Sequence, residues 1–274
     1  MEGDGASDSS CRWSAWAREY PKRFPHYKHI VRPSGSQKPE AQEMTGIKTD
    51  IGILAGTEIF RSLPSEALDE VCQAASRKRL ARKETLYQQG DAALNFYVVV
   101  VGRLRATQTT EEGNQIALRY LGPGELAGYA ALAGIPDYPG TVVAVEDTHL
   151  FVWPAGAMKQ LMNRHPQIAM NAVAVLGARY QETQIRLREL STETVERRIA
   201  HALLRLARQA GRRTAQGTEI CFPLSRQDIA ELAGTTLHTV SRTLSAWEKD
   251  SIVLSAHRHI VICLPEALAA INAS

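Results

Sequence analysis

Alternating apolar and polar residues dominate the middle of the chain. Short apolar segments such as "FYVVVV" at 96–101 and "TVVAVEDTHLFVWP" at 141–154 are separated by residues that favour turns. The turns fall at Gly90-Asp91, Gly102, 112–114 and 122–124. Short strands with turns about every 8–12 residues predict a β-sandwich or jelly roll with an enclosed interior.

The pattern then changes to a helical period. The longest predicted helix runs from about Met158 to Leu190, and from Ala169 onward its residues recur at alternating intervals of four and three, the spacing of a two-stranded coiled-coil seam. A neighbouring stripe, Ile168, Ala172 and Val175, predicts contact with the helix's own domain. Both stripes can be used at once if the second faces another copy of the chain. We call this second stripe the dimer seam: Ala169, Val173, Leu176, Tyr180, Thr183, Leu187 and Leu190.

The C-terminal part predicts a helix-turn-helix. An amphipathic helix, "TETVERRIAHALLRLARQAG", stops at Gly211. In "SRQDIAELAGTTLHTVSRTLSAWEK", Ser225 and Asp228 form a capping pair, Gly234 supplies the turn, and Thr235 or Thr236 caps the second helix. The strand "RHIVIC" near the end predicts a small wing. The buried stripe of the second helix consists of Val240, Leu244 and Trp247.

These patterns predict an α+β fold with four regions. Residues 1–50 are expected to be a disordered tail, 51–157 a domain of short β-strands, 158–191 a dimerisation helix and 192–274 a helix-turn-helix domain with a wing. Because the first 43 residues show no structural period, translation from Met44 is the alternative start.

Composition and charge constrain the class of protein. The chain has 274 residues, 44% of them hydrophobic, which suffices for two compact domains. A net charge of +3 permits nucleic-acid binding without establishing it. No stretch approaches the roughly 20 apolar residues that span a bilayer, and no export signal precedes the fold, so a cytoplasmic protein without membrane contact is expected. Its cysteines, at 11, 72, 221 and 263, are too dispersed for a CxxC metal site.

The order of the three patterns resembles the Crp–Fnr family of bacterial transcription regulators. The segments that carry the resemblance are "TLYQQGDAALNFYVVVVGRLRA", "GNQIALRYLGPGELAG", the long helix and "LSRQDIAELAGTTLHTVSRTLSAWEK". The resemblance implies an effector-binding jelly-roll β-roll, a dimerisation helix and a winged helix-turn-helix. The expected partners are double-stranded DNA, a second copy of the chain, RNA polymerase and a small effector. No nucleophile–base arrangement or phosphate loop is visible in the sequence, so an enzyme is not expected.

The effector positions depart from those of the members that bind cyclic nucleotides. Those members carry a glutamate for the ribose and an Arg-Ser pair for the phosphate, where this chain has Tyr129 and Gly140-Thr141. An unpaired buried phosphate is costly, so cyclic AMP is not the expected effector. Iron–sulfur ligation is not expected either, because only Cys11 and Cys72 precede residue 221. The candidate effector pocket is Tyr129, Tyr138, Gly140 and Thr141.

The motifs "DYP" at 137–139 and "GTTLHTVSR" at 234–242 resemble motifs of the denitrification-associated regulators of the NnrR and Dnr kind. That similarity implies a response to nitric oxide, with haem as a candidate sensing group. Because residues 80–145 contain no histidine, the nearest axial ligands in sequence are His149 and His165. The alternative is a roll that responds to another small molecule or a redox signal, or that acts without a ligand.

The resemblance also assigns the DNA contacts. Residues that read bases lie on the first turns of the second helix, here Leu237, His238, Ser241 and Arg242. Ser225, Arg226 and Thr236, with Arg258 in the wing, are the expected contacts around the DNA backbone. His238 stands where most of the family has glutamate. It is therefore expected to change the preferred base pair, unless it contacts only a phosphate.

Overall fold

The computed structural model describes residues 51–113, 115–256 and 258–271. The predicted tail and the alternative start at Met44 lie outside the described residues and stay predictions. Residues 51–55 are helical and a short 3-10 helix, Glu58–Phe60, follows. The roll then comprises α1 (Ser65–Gln73), β1 (Ser76–Leu80), β2 (Thr85–Tyr87), β3 (Asn95–Val101), β4 (Leu104–Thr109), β5 (Gln115–Leu121), β6 (Leu126–Ala127), α2 (Tyr129–Ala133), β7 (Thr141–Ala144) and β8 (Thr148–Pro154).

Two antiparallel sheets build the roll, in the strand orders β1-β8-β3-β6 and β2-β7-β4-β5. Alternation along each strand decides which side chains face the interior. On β8, Leu150 and Val152 join a cluster to which both sheets contribute, whereas Phe151 and Trp153 pack on the opposite face against helices. The predicted β-roll within an α+β fold is confirmed.

The region after the roll is two helices, where one was predicted. These are α3 (Ala155–Arg164) and α4 (Pro166–Thr192), with His165 between them in a non-helical conformation. Pro166 explains the break, because the ring of a proline disfavours the helical region for the preceding residue while it suits the first position of a new helix. The prediction of one continuous helix from Met158 was therefore wrong, and the long helix begins at Pro166.

One face of α4 packs on the roll. Ile168, Ala172 and Val175 are buried there, as their stripe predicted. Between them, the buried Asn171 donates through Nδ2 to the carbonyl oxygens of Ile59 and Arg61, at 3.0 and 2.8 Å. The other stripe of α4, the dimer seam, is left facing outward.

The C-terminal region, which we call the reading head, is built around a second core. It contains α5 (Val195–Ala210), β9 (Gly211–Thr214), β10 (Gly217–Ile220), α6 (Arg226–Ala233), α7 (Leu237–Lys249), β11 (Val253–Ala256), β12 (His259–Ile262) and α8 (Pro265–Ala270). Its strands form one sheet in the order β11-β12-β10-β9. Helix α5 ends at Gly211 as predicted. In the described part of the chain, no helix is both long and apolar enough to cross a membrane.

Candidate nucleic-acid interface and effector region

Two capped helices form the centre of the reading head. Ser225 and Asp228 make the predicted capping box at the start of α6: Asp228 N–H donates to Ser225 Oγ at 3.1 Å, and Ser225 N–H donates to the Asp228 carboxylate at 2.8 Å. Gly234 ends α6 with φ 60°, a left-handed conformation that suits glycine. Thr236 then caps α7, its Oγ1 accepting from Thr239 N–H at 3.2 Å. These caps fix the angle at which α7 leaves the turn.

The buried stripe of α7 determines which side faces outward. Val240, Leu244 and Trp247 are buried as predicted, and Trp247 Nε1–H donates to Glu196 on α5 at 3.0 Å. Because α7 is anchored on this side, residues on its opposite face project into solvent.

We call that opposite face the reading face: Leu237, His238, Ser241 and Arg242. Leu237, His238 and Arg242 are exposed, and Ser241 is half-buried. Residues three and four apart share a side of a helix, so His238, Ser241 and Arg242 point the same way. Across the described residues, none of these three side chains makes a hydrogen bond or ion pair. Their polar groups are therefore available to an external partner.

The predicted backbone-contact residues surround the start of α6. Arg226 reaches Glu248 on α7 at 3.4 Å and Ser255 on β11 at 3.3 Å, so it is held between three elements. Arg258 lies in the turn between β11 and β12, 3.8 Å from the Asp228 carboxylate. An open recess of about 250 Å³ separates Arg226 from Arg258. The hydroxyls of Ser225 and Thr236 are already used as helix caps.

The dimer seam is an apolar surface that the described residues leave uncovered. Val173, Tyr180 and Leu187 are 64%, 66% and 58% exposed. Leu176 and Leu190 are also exposed, while Ala169 is half-buried and the Thr183 hydroxyl donates to the Arg179 carbonyl. Met170 and Ile185 are exposed as well, but helical spacing places both of them outside the seam. An apolar surface of this extent typically marks an interaction site.

Leu190 also touches the turn of the reading head. A Cβ at Gly234 would lie 2.8 Å from Leu190 Cδ2, so a larger residue at this turn would have to displace the end of the leucine side chain. The Arg198 guanidinium binds the carbonyl oxygens of Ala233 and Gly234, at 2.8 and 3.2 Å. The end of α4 and the start of α5 therefore both contact the turn between α6 and α7 and hold it in place.

A charged cluster ties α5 back to α4. The buried Glu189 accepts from His201 Nδ1 at 2.8 Å and from Arg205 Nη1 at 2.7 Å. Burial by itself raises the pKa of Glu189, but the bonds from His201 and Arg205 hold that pKa below its ordinary value. The ionised carboxylate thus anchors α5 across the α4–α5 joint.

Stacked tyrosines occupy the interior of the roll. The Tyr138 ring lies 3.7 Å from that of Tyr87 between centroids, and its hydroxyl donates to the Asn95 carbonyl at 2.7 Å. Tyr97 packs 5.8 Å from Tyr87. Burial raises the pKa of Tyr87 and Tyr97, so both remain neutral phenols. Sequence reasoning singled out only Tyr138 of these three.

The four predicted effector residues do not gather around one space. Tyr138 belongs to the interior cluster, whereas Tyr129 packs with the cluster on the α4 side of the roll. Gly140 is in close contact with β4, since a Cβ there would lie 2.5 Å from the Thr107 carbonyl oxygen. The Thr141 hydroxyl accepts from Gln89 N–H at 3.0 Å. These positions serve the packing of the roll.

The two candidate haem ligands lie apart from that interior. His149 shares the face of β8 with Phe151 and Trp153, the outer face of its sheet. His165 stands at the α3–α4 break with Nε2 3.2 Å from Glu70. Neither imidazole is aimed at the interior of the roll, so these residues do not fit a haem held there.

Comparison with known proteins matches two families to this chain. The cyclic nucleotide-binding domain family covers residues 77–165, and the Crp-like helix-turn-helix domain family covers residues 197–271. The cyclic AMP receptor protein of Thermus thermophilus is 33% identical over 200 residues, 73% of this chain and 89% of that protein. The fumarate and nitrate reduction regulatory protein of Salmonella typhimurium is 25% identical over 211 residues, 77% of this chain and 84% of that protein.

Among solved structures, FixK2 of Bradyrhizobium japonicum superposes with a TM-score of 0.65 at 25% identity, covering 73% of this chain and 98% of that one. The similarity extends over the roll, the long helix and the reading head together.

Proposed function

The chain belongs to the Crp–Fnr family of DNA-binding transcription regulators, and from that premise we propose that two copies bind one inverted-repeat operator through their reading faces. Its relatives are regulators, and it is not an enzyme. The observation that carries the proposal is the set of polar groups at His238, Ser241 and Arg242 on the outward side of α7, which bind no other side chain or backbone group among the described residues. Such a helix fits the major groove, where each base pair has a distinct pattern of donors and acceptors.

Each residue of the reading face has a proposed role. Arg242 presents two N–H groups to guanine O6 and N7, and Ser241 bonds a base or phosphate. Leu237, exposed at the start of α7, packs against a thymine methyl. Arg226 and Arg258 contact the DNA backbone, giving affinity and salt dependence without sequence information. Ser225 and Thr236 support DNA binding indirectly, because they cap the helices α6 and α7 that carry the contacts.

The homodimer is proposed on the exposed seam of α4. The apolar side chains Val173, Tyr180 and Leu187 are spaced as a coiled-coil seam, and the neighbouring stripe is already used by the roll. A second copy of the same helix buries both seams at once by two-fold symmetry. Two reading faces related by that symmetry require a near-palindromic operator.

The test is selection from a random duplex library with the full chain. We expect enrichment of inverted repeats with half-sites about one helical turn apart. The dimer is then checked by light scattering with and without DNA. Enrichment of no repeat, or binding by a strict monomer, would contradict the proposal.

His238 gives a prediction about base preference. A glutamate carboxylate only accepts hydrogen bonds, whereas a neutral imidazole accepts at one nitrogen and donates from the other. His238→Glu is therefore expected to shift preference at one base pair of each half-site by roughly 1–3 kcal/mol, toward a pair that presents the cytosine amino group. The measurement is the relative affinity of four duplexes that differ only at that pair. An unchanged order would assign His238 to a phosphate.

For the roll, we propose control by a small effector other than cyclic AMP, with nitric oxide favoured by the resemblance to denitrification regulators. Gly140 offers a phosphate no charged partner, which argues against a cyclic nucleotide. An absorption spectrum of protein from haem-supplied cells, with and without nitric oxide, tests haem directly. The packed tyrosines Tyr87, Tyr97 and Tyr138 favour the alternative, a roll that acts without a ligand. RNA polymerase is the proposed partner on promoter DNA.

A further inference from the structure

The roll contributes a residue to the core of the reading head. Tyr120 on β5 is 2% exposed and belongs to the same buried cluster as Ile229 and Leu244. Its ring centroid lies 4.7 Å from that of Phe222, the residue that follows β10 and Cys221. The buried guanidinium of Arg103, also from the roll, lies 4.5 Å from the Phe222 centroid. The head is therefore packed against the roll by specific side chains.

An ionic contact fixes the same interface. Arg105 on β4 binds the Glu231 carboxylate through Nη2, and the same nitrogen lies 3.5 Å from Asp228 Oδ1. Both acids are on α6, and all three side chains are mostly buried, at 22%, 11% and 10% exposure for Arg105, Glu231 and Asp228. Solvent and salt screen such a contact less than a surface pair.

Beside Arg105 the interface is open. A cavity of about 280 Å³ lies between the roll, at Arg82 and Lys83, and the head, at Pro223 and Arg258. The two parts do not pack across this cavity, so the contacts beside it hold the angle of the head. The α4–α5 joint, anchored by Glu189, holds one point of the head, and Arg105 with Tyr120 holds another.

We propose that Arg105 is a positioning residue that sets the half-site spacing at which the protein binds DNA. This inference rests on the proposed function. If the reading head were held only at the α4–α5 joint, it could rotate about that joint. A second contact with the roll, away from the joint, fixes the angle between the reading head and the roll. In a dimer joined along α4, that angle sets the separation of the two α7 helices. Arg105 touches no DNA and acts through Glu231 and Asp228 on α6.

The experiment uses the inverted repeat enriched by the wild-type full chain, with spacers of the selected length and one or two base pairs longer. Each added pair moves the half-sites about 3.4 Å apart and turns one around the axis. We expect Arg105→Ala to reduce the affinity ratio between the selected and the lengthened spacer about tenfold. Arg105→Lys, which keeps the charge, should retain an intermediate ratio.

Two further variants make the test decisive. Glu231→Gln removes the charge from the α6 side and should lower the ratio in the same direction, even if Arg105→Ala does not fold. The control is Arg164→Ala. It removes an ion pair in which Arg164 lies 2.7 Å from Glu70, at a site remote from the reading head, and it should leave the affinity ratio unchanged. A folded Arg105→Ala or Glu231→Gln dimer with the wild-type ratio would overturn the inference. Enrichment of no repeat by the wild type would instead overturn the proposed function.

Discussion

Arg242→Ala is expected to remove most of the discrimination between operator and unrelated DNA. Each guanidinium–guanine pair is worth roughly 1–3 kcal/mol and a dimer makes two, so operator affinity should fall by roughly 30-fold to 10⁴-fold. Affinity for unrelated DNA, which depends on phosphate contacts, should change far less. Fluorescence anisotropy with both duplexes at one salt concentration measures the ratio.

The matched control is Lys249→Ala. Lys249 is an exposed cation at the last turn of the same helix, about two turns beyond Arg242. Its loss should leave the ratio of operator to unrelated affinity unchanged. An equal loss of affinity for both duplexes on Arg242→Ala would assign Arg242 to the DNA backbone.

Charges placed in the dimer seam are expected to separate the subunits. Val173→Glu with Leu187→Glu would bring four carboxylates together along paired α4 helices, and burying unpaired charges costs several kcal/mol. Because both positions are exposed in the isolated chain, each subunit should still fold. We expect a monomer by light scattering and a loss of operator affinity greater than about 100-fold.

The control for the seam places the same charges elsewhere on the same helix. Ala174 and Gln181 are exposed on α4 and lie outside the seam. Ala174→Glu with Gln181→Glu should leave the dimer intact. If the seam variant remained dimeric and bound operator as the wild type does, the two copies would have to meet on another surface.

Local periodicity was sufficient to predict the faces of the helices. The buried stripes of α4 and α7, Ile168 to Val175 and Val240 to Trp247, were predicted because a period of 3.6 residues leaves one side of a helix apolar. The break at His165 was missed because the predicted helix was begun at Met158, ahead of the seam, although Pro166 disfavours the helical conformation at the residue before it.

Contacts between distant segments had no comparable signal. Tyr87 and Tyr138 stack across 51 residues of sequence (138 − 87), and nothing near either one indicates the other. The pair Arg105–Glu231 joins segments 126 residues apart, so its existence depends on how the head docks on the roll. The positions assigned to an effector pocket were carried over by resemblance, and the structure places them in separate packing contacts of the roll.

Leu190 belongs to two surfaces, since it closes the dimer seam and also rests against Gly234 in the turn that launches α7. If the seam pairs as proposed, a shift of that turn when DNA binds also moves Leu190 and so alters the contact between the subunits. The coupling between two binding equilibria has the same free energy in both directions. An operator that favours one position of the turn therefore changes the dimerisation constant by the same factor by which dimerisation changes the affinity for that operator. The cell's concentration of the protein would then help to set which operators are occupied.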